Sequence, residues 1–165
     1  MRRAYTPYVS GIILSTLLLV GCQSSRPPLT LADQIRGVGA GQAQGLQIYG
    51  LRNPIVTDLM ANALVAEKNK AYQQALNYLD QALTIEPNAP DILQQRAEVK
   101  IEQGRWSEAK VDILQSIELG PRLGQLCQRN WRALALTYRQ LGQYSEGGKA
   151  EARVPLCERT RPERF

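Results

Sequence analysis

The stretch NKAYQQALNYLDQALTIEPN, residues 69–88, has a counterpart 34 positions further on, QGRWSEAKVDILQSIELGPR, residues 103–122. Ala63 stands against Ala97, Tyr72 against Trp106, Ala75 against Ala109, Leu79 against Ile113 and Pro87 against Pro121, always 34 apart. Aromatic, small, large apolar and proline positions therefore follow one another in the same order twice. Inside each copy the apolar residues recur at helical spacing, which gives each helix one face to bury and one to show to water. Gly104 and Gly142 punctuate turns, while Pro87 and Pro121 follow helices that they cannot continue. These signals predict helices near 54–68, 72–85, 90–103, 106–119, 125–141 and 144–154.

A third copy emerges at an offset of 38, with Gly104 against Gly142, Trp106 against Tyr144 and Ala97 against Ala135, so four extra residues fall around Pro121 to Leu126. Trp131, Leu134, Ala135 and Tyr138 occupy its first-helix positions, and RQLGQYSEG supplies its turn. Gly147 then stands where a small alanine belongs and Pro155 cuts the last helix short, as suits a terminal unit with no neighbour to cover. Together these motifs resemble the tetratricopeptide repeat, a pair of antiparallel helices with small residues at the close crossings. The resemblance spans about 100 residues and implies an all-α superhelical solenoid of three antiparallel helix pairs. Repeats would lie near 56–89, 90–123 and 128–157 in a domain of residues 54–157, with a C-terminal tail over 158–165. Three such units are the minimum for a stable solenoid, because each buries its apolar face only against the next.

Moving outward to the N-terminus, Arg2 and Arg3 precede an apolar run from Gly11 to Val20, the anatomy of a secretory signal peptide over residues 1–21. The run is shorter than the ~20 residues that a transmembrane helix needs, which disfavours a retained anchor. Leu19-Val20-Gly21-Cys22 resembles the lipobox of bacterial lipoproteins. That resemblance implies diacylation of Cys22 on sulfur, cleavage before it and a further acyl chain on its new amine. Several acyl chains at about 0.8 kcal/mol per methylene hold a protein on a membrane where one would not. The competing reading makes Cys22 a small buried core residue. Gln23 rather than Asp follows, which in enterobacteria favours the outer membrane, with the protein facing the periplasm.

Residues 22–53 change composition, with Pro27, Pro28, Gly37, Gly39, Gly41, Gly45 and Gly50 among Gln and Ala. Few of them could build a core, so a flexible tether reaching roughly 30 Å is expected. Two short apolar patches, Leu29 to Ile35 and Leu46 to Leu51, could dock on the domain or on a partner, or be mere linker. If Cys22 is lipidated, an even pair remains, Cys127 and Cys157, whose midpoint is Gly142. A helical hairpin bent there brings the two level, as a structural disulfide requires.

The composition bounds function chiefly by exclusion. With no histidine in the chain, His-dependent triads and most transition-metal sites fall away. No phosphate loop, nucleophile elbow or cysteine quartet is present, and Glu98 and Glu102, four apart on one helix face, fit a solvated surface better than an acid–base pair. A non-enzyme without cofactor or metal is expected. The 20 Lys and Arg against 15 Asp and Glu become 18 against 15 without Arg2 and Arg3, and the ten aromatics do not interleave with basic runs. Nucleic acid is therefore not an expected partner.

Tetratricopeptide domains use the first helix of each pair to line a concave groove. Carried over position by position, this implies Met60, Leu64, Glu67 and Lys68 from the first repeat, and Asp91, Gln94, Glu98, Ile101 and Glu102 from the second. The third contributes Arg129, Arg132, Leu136, Arg139 and Gln140. Such a groove would be acidic in its middle and basic toward its C-terminal end, able to orient a partner of opposite pattern, although simple solvation explains the same charges. The Lys/Asn clamp of chaperone-binding members is missing. An anchor, a tether and a non-catalytic scaffold together suggest an adaptor or activator for another envelope protein. Among small lipoproteins of this design the chain resembles the activators of class A penicillin-binding proteins, which are peptidoglycan synthases. Two alternatives stay open: a pilotin or assembly factor for a pilus, secretin or outer-membrane machine, and a structural lipoprotein binding peptidoglycan directly through Arg129, Arg132 and Arg139.

Overall fold

The computed structural model describes residues 28–37 and 52–158. The signal sequence, Cys22, the patch Leu46 to Leu51 and the tail from 159 onward lie outside the described residues. Among those described, regular structure is entirely helical: α1 (Leu31–Arg36), α2 (Pro54–Lys68), α3 (Tyr72–Ile85), α4 (Pro90–Glu102), α5 (Trp106–Leu119), α6 (Gln125–Gln140) and α7 (Tyr144–Glu151), then a 3-10 turn, Pro155–Cys157.

Local chemistry sets the boundaries. Proline opens both α2 and α4 at the position where a missing N–H costs nothing, and the Asn53 side chain accepts from the Ile55 N–H at 3.0 Å. The turns inside the pairs need a left-handed residue. Gly104 (φ 71°) and Gly142 (φ 74°) supply it in the second and third units, whereas the first unit uses Lys70 (φ 59°). Pro155 cannot donate to the carbonyl of Glu151, so α7 stops at Glu151, three residues before the position expected from periodicity.

Pairs α2–α3, α4–α5 and α6–α7 pack side by side, and α3–α4 and α5–α6 contacts stack them in chain order. Alanines make the close crossings possible: Ala63, Ala75, Ala97, Ala109 and Ala133 are all fully buried. Leu79, Ile92 and Val99 fill one core, and Ile101, Ile113 and Leu134 the next. Polar ties bridge the units as well. Arg96 forks onto Asp112 at 2.7 and 2.9 Å and reaches Asp80 at 2.8 Å, joining α3, α4 and α5. Ser116 donates to the Pro90 carbonyl at 2.6 Å, and its oxygen lies 3.0 Å from Asn130 Oδ1, tying α5 to α4 and α6. Cys127 and Cys157 form a disulfide with Cα atoms 5.7 Å apart, and the Gly124 N–H donates to the Cys157 carbonyl at 2.7 Å beside it.

One element departs from the expected tether. Leu31–Arg36 is a helix packed on α4 and α6, so part of the stretch assigned to flexible linker belongs to the folded unit. Of the destinations open to the Leu29 to Ile35 patch, it takes the domain itself.

Candidate functional site

The concave face is built from the first helices of the pairs, α2, α4 and α6, and α1 lies in it. Its local code is compact. Thr30 Oγ1 accepts from the Asp33 N–H at 3.1 Å while Asp33 Oδ2 accepts from the Thr30 N–H at 3.2 Å, a reciprocal capping box. Gly37, at φ 74°, closes the other end. Six residues are too few to hold a helix alone in water, so α1 owes its form to what it packs against.

The contacts are specific. Arg36 Nε donates to Glu98 Oε2 at 2.7 Å and Arg36 Nη2 to Glu67 Oε2 at 2.8 Å, joining α1 to α4 and α2. The Ala32 N–H donates to Glu102 Oε1 at 2.6 Å. Ile35 is buried in the same core as Ala97, Ile101 and Ala133. Glu98 is the hub: its side chain is 0% exposed, it receives Arg129 from α6 at 2.9–3.0 Å, and Gln94 Nε2 donates to it at 3.1 Å. Burial opposes the charge of Arg36, yet the adjacent Glu98 and Glu67 overcome this and raise its pKa above the ordinary value. For Glu67, burial outweighs Arg36 and raises the carboxyl pKa above its ordinary value.

A second arginine clamps the chain where it enters α2. Arg52 forks onto Asp91 at 2.6 and 2.9 Å, reaches Glu86 at 3.0 Å and contacts the Met60 sulfur at 3.0 Å. Arg36 and Arg52 thus pin both ends of residues 37–51 to carboxylates of the solenoid.

The sequence-derived groove residues therefore have different fates. Glu67, Gln94, Glu98, Glu102 and Arg129 do converge, but around the chain's own α1 rather than around an open cleft, and Asp91 with Met60 is engaged by Arg52. In this structure those carboxylates are engaged by groups of the same chain. Leu64 is half-buried on α2. The basic end is different. Arg132, Leu136 and Arg139 line an open cavity of about 470 Å³ whose far wall includes Ile35, Val154 and Pro155. Arg139 pairs with Glu151, while among the described residues Arg132 reaches the Ile35 carbonyl and Gln128 Oε1, both at 3.4 Å. Sequence reasoning missed Ala32, Arg36 and Arg52 as groove-facing groups. The signal that could have found the first two is Thr30-Leu31-Ala32-Asp33 with Gly37 behind it, a capping box and a left-handed stop.

Among the described residues no group of three His, Cys, Asp or Glu side chains could hold a metal ion, and no helix is long and apolar enough to cross a membrane.

Stacked antiparallel helix pairs with a concave first-helix face holding a short segment define a helical-repeat scaffold. Residues 66–116 match the family model of the tetratricopeptide repeat. The chain is similar in structure to the globular C-terminal domain of LpoP from P. aeruginosa, with a TM-score of 0.58 at 20% identity, covering 66% of this chain and 99% of that one. That likeness shows a shared fold. No curated protein matches the sequence.

Proposed function

We propose that this protein is a lipid-anchored, periplasm-facing outer-membrane adaptor that binds and activates an envelope enzyme, with a class A penicillin-binding protein as the enzyme. The observation that carries the proposal is the concave face itself, a tetratricopeptide-type surface that holds the chain's own α1 through named side chains and keeps an open cavity beside it lined by Arg132, Arg139 and Glu151. The likeness to the LpoP domain supports the penicillin-binding-protein activator type over a pilotin or a glycan binder. Cys22 is the proposed lipid attachment point, and the residues between it and α1 are the proposed tether from membrane to domain.

Within this assignment the chain does no chemistry. It acts by binding, and the cavity next to Arg132, Leu136 and Arg139 is the contact surface, suited to an apolar side chain flanked by a carboxylate. The test is glycan polymerisation by a purified class A synthase with and without this protein. The protein is expected to raise the rate, and the double variant Arg132→Glu, Arg139→Glu to lose both the effect and direct binding. No change in rate and no binding would remove the synthase as the partner. For the anchor, Cys22→Ala is expected to move the protein from the membrane to the soluble periplasmic fraction and to abolish labelling by a palmitate analogue. Unchanged fractionation would overturn the attachment site.

A further inference from the structure

We infer that the middle of the concave face is an arginine-selective peptide site, held in cis by α1, and that the segment it accepts in trans is a short helix of the same chemistry. That chemistry is a small residue, an isoleucine-sized apolar residue three positions on, and an arginine directly after it. The inference rests on the proposed adaptor role, because only a partner protein brings such a segment.

The occupant states what the site reads. Glu67 and Glu98, from α2 and α4, present oxygens that one guanidinium takes at 2.8 Å through Nη2 and 2.7 Å through Nε. Nη2 alone lies 2.8 Å from Glu67 Oε2 and 2.6 Å from Glu98 Oε2, and Nε adds a second bond to Glu98 that the single nitrogen of a lysine ammonium cannot reproduce. With α1 in place the carboxylate of Glu98 is wholly buried and that of Glu67 is 7% exposed; removing α1 takes Arg36 from both, leaving Glu98 with Arg129 and Glu67 without its cation. Another arginine-bearing helix restores the lost pairing. Beside the arginine, Ala32 lies flush enough for its N–H to reach Glu102 at 2.6 Å, a contact that a larger residue at this fully buried position would block. Ile35 fills the apolar hole between α4 and α6.

The resident segment is suited to exchange. It is six residues long, cannot hold its helix without the groove, and is held by packing on α4 and α6 and an ion pair to α2, while every other helix is secured in a pair. Its hold in cis corresponds to an effective concentration in the millimolar range, set by the short connection from residue 37 to residue 52. A partner segment that binds the open site more tightly than this displaces α1. Displacement also removes Ile35 from the wall of the cavity at Arg132, so the two parts of the concave face respond together.

The experiment uses the full chain and a labelled synthetic peptide of residues 28–37 as the probe, followed by fluorescence anisotropy. Arg36→Glu sets a carboxylate against Glu67 and Glu98 and empties the site in cis, so the probe is expected to bind this variant roughly tenfold or more tightly than wild type. The same probe with its arginine replaced by lysine is expected to lose about tenfold on that variant. Equal binding to wild type and variant, or indifference to lysine, overturns the inference. Should Arg36→Glu melt early, Ile35→Ala takes its place with the same ranking expected. On wild type, excess probe is expected to speed amide exchange at residues 32–37, whereas amides there protected as strongly as those of α4 would make α1 a permanent part of the fold and overturn the proposal. A doubled mass in sedimentation, with α1 exchanged between copies, would likewise overturn it. None of these arms needs the synthase, so loss of peptide binding with retained activation defeats this inference alone. Retained peptide binding without activation defeats only the choice of partner.

Discussion

Glu67 and Glu98 touch the same guanidinium, yet they carry different burdens. Glu98 is the counter-ion of both Arg36 and Arg129, so Glu98→Gln leaves two partly buried cations short of charge and is expected to cost about 3 kcal/mol in urea unfolding. Glu67 meets Arg36 alone, and its burial raises the carboxyl pKa despite that partner. A carboxyl whose folded pKa lies above its unfolded value contributes stability that is full below the ordinary value near 4.5 and lost as pH rises through the folded pKa. Glu67→Gln removes this dependence while keeping an oxygen for Arg36. The variant, isosteric with the protonated carboxyl, is therefore expected to match wild type below pH ~4.5 and to be the more stable of the two at pH 7. Urea midpoints for both chains at the two pH values check this, and a large loss at pH 7 would show that the Glu67 charge itself is needed.

At the scale of helices, the three repeats solve the same turn unequally. Lys70, Gly104 and Gly142 occupy equivalent positions, each with positive φ and each donating its N–H to a carbonyl three residues back. Only the lysine carries a Cβ into that region, at a cost of roughly 1 kcal/mol. Lys70→Gly is accordingly expected to raise stability by about 0.5–1 kcal/mol, and Gly142→Ala to lower it by a similar amount. Thermal melts rank the three chains, and a destabilised Lys70→Gly chain would mean that glycine's looser unfolded chain outweighs the relief. Gly147 has a different reason to be there. A Cβ added to it would lie 3.2 Å from the Ala135 carbonyl, so α7 crosses α6 more closely than even alanine comfortably allows. The position that departs from the repeat pattern is thus a close fit, not a loosened one. The six solenoid helices were legible from period, proline and glycine because those signals act within a turn or two of chain. Helix α7 ends three residues before 154 for an equally local reason, Pro155, which lacks the N–H that would bond back to Glu151.

For the whole molecule, the disulfide closes the third helix pair, the last of the described units. It spans 30 residues, and its loss through Cys127→Ala with Cys157→Ala is expected to cost about 3 kcal/mol, read as a lower melting temperature that added reductant no longer changes. An unaltered melt would mean that the Gly124 hydrogen bond and the cation–π contact of Arg153 on Trp131 hold the end by themselves. The repeat register, the three helix pairs and the placement of Cys127 opposite Cys157 follow from the amino-acid order alone, since each depends on periodicity or on symmetry about one turn. The state of the groove does not. Arg36 finds Glu67 and Glu98 across 31 and 62 residues, and nothing near Arg36 in the chain announces carboxylates. Only the curvature that stacks α2 beside α4 sets two buried carboxylates one guanidinium apart. That distant pairing, together with the apolar hole for Ile35, turns a stretch with the composition of a linker into the ligand of its own domain.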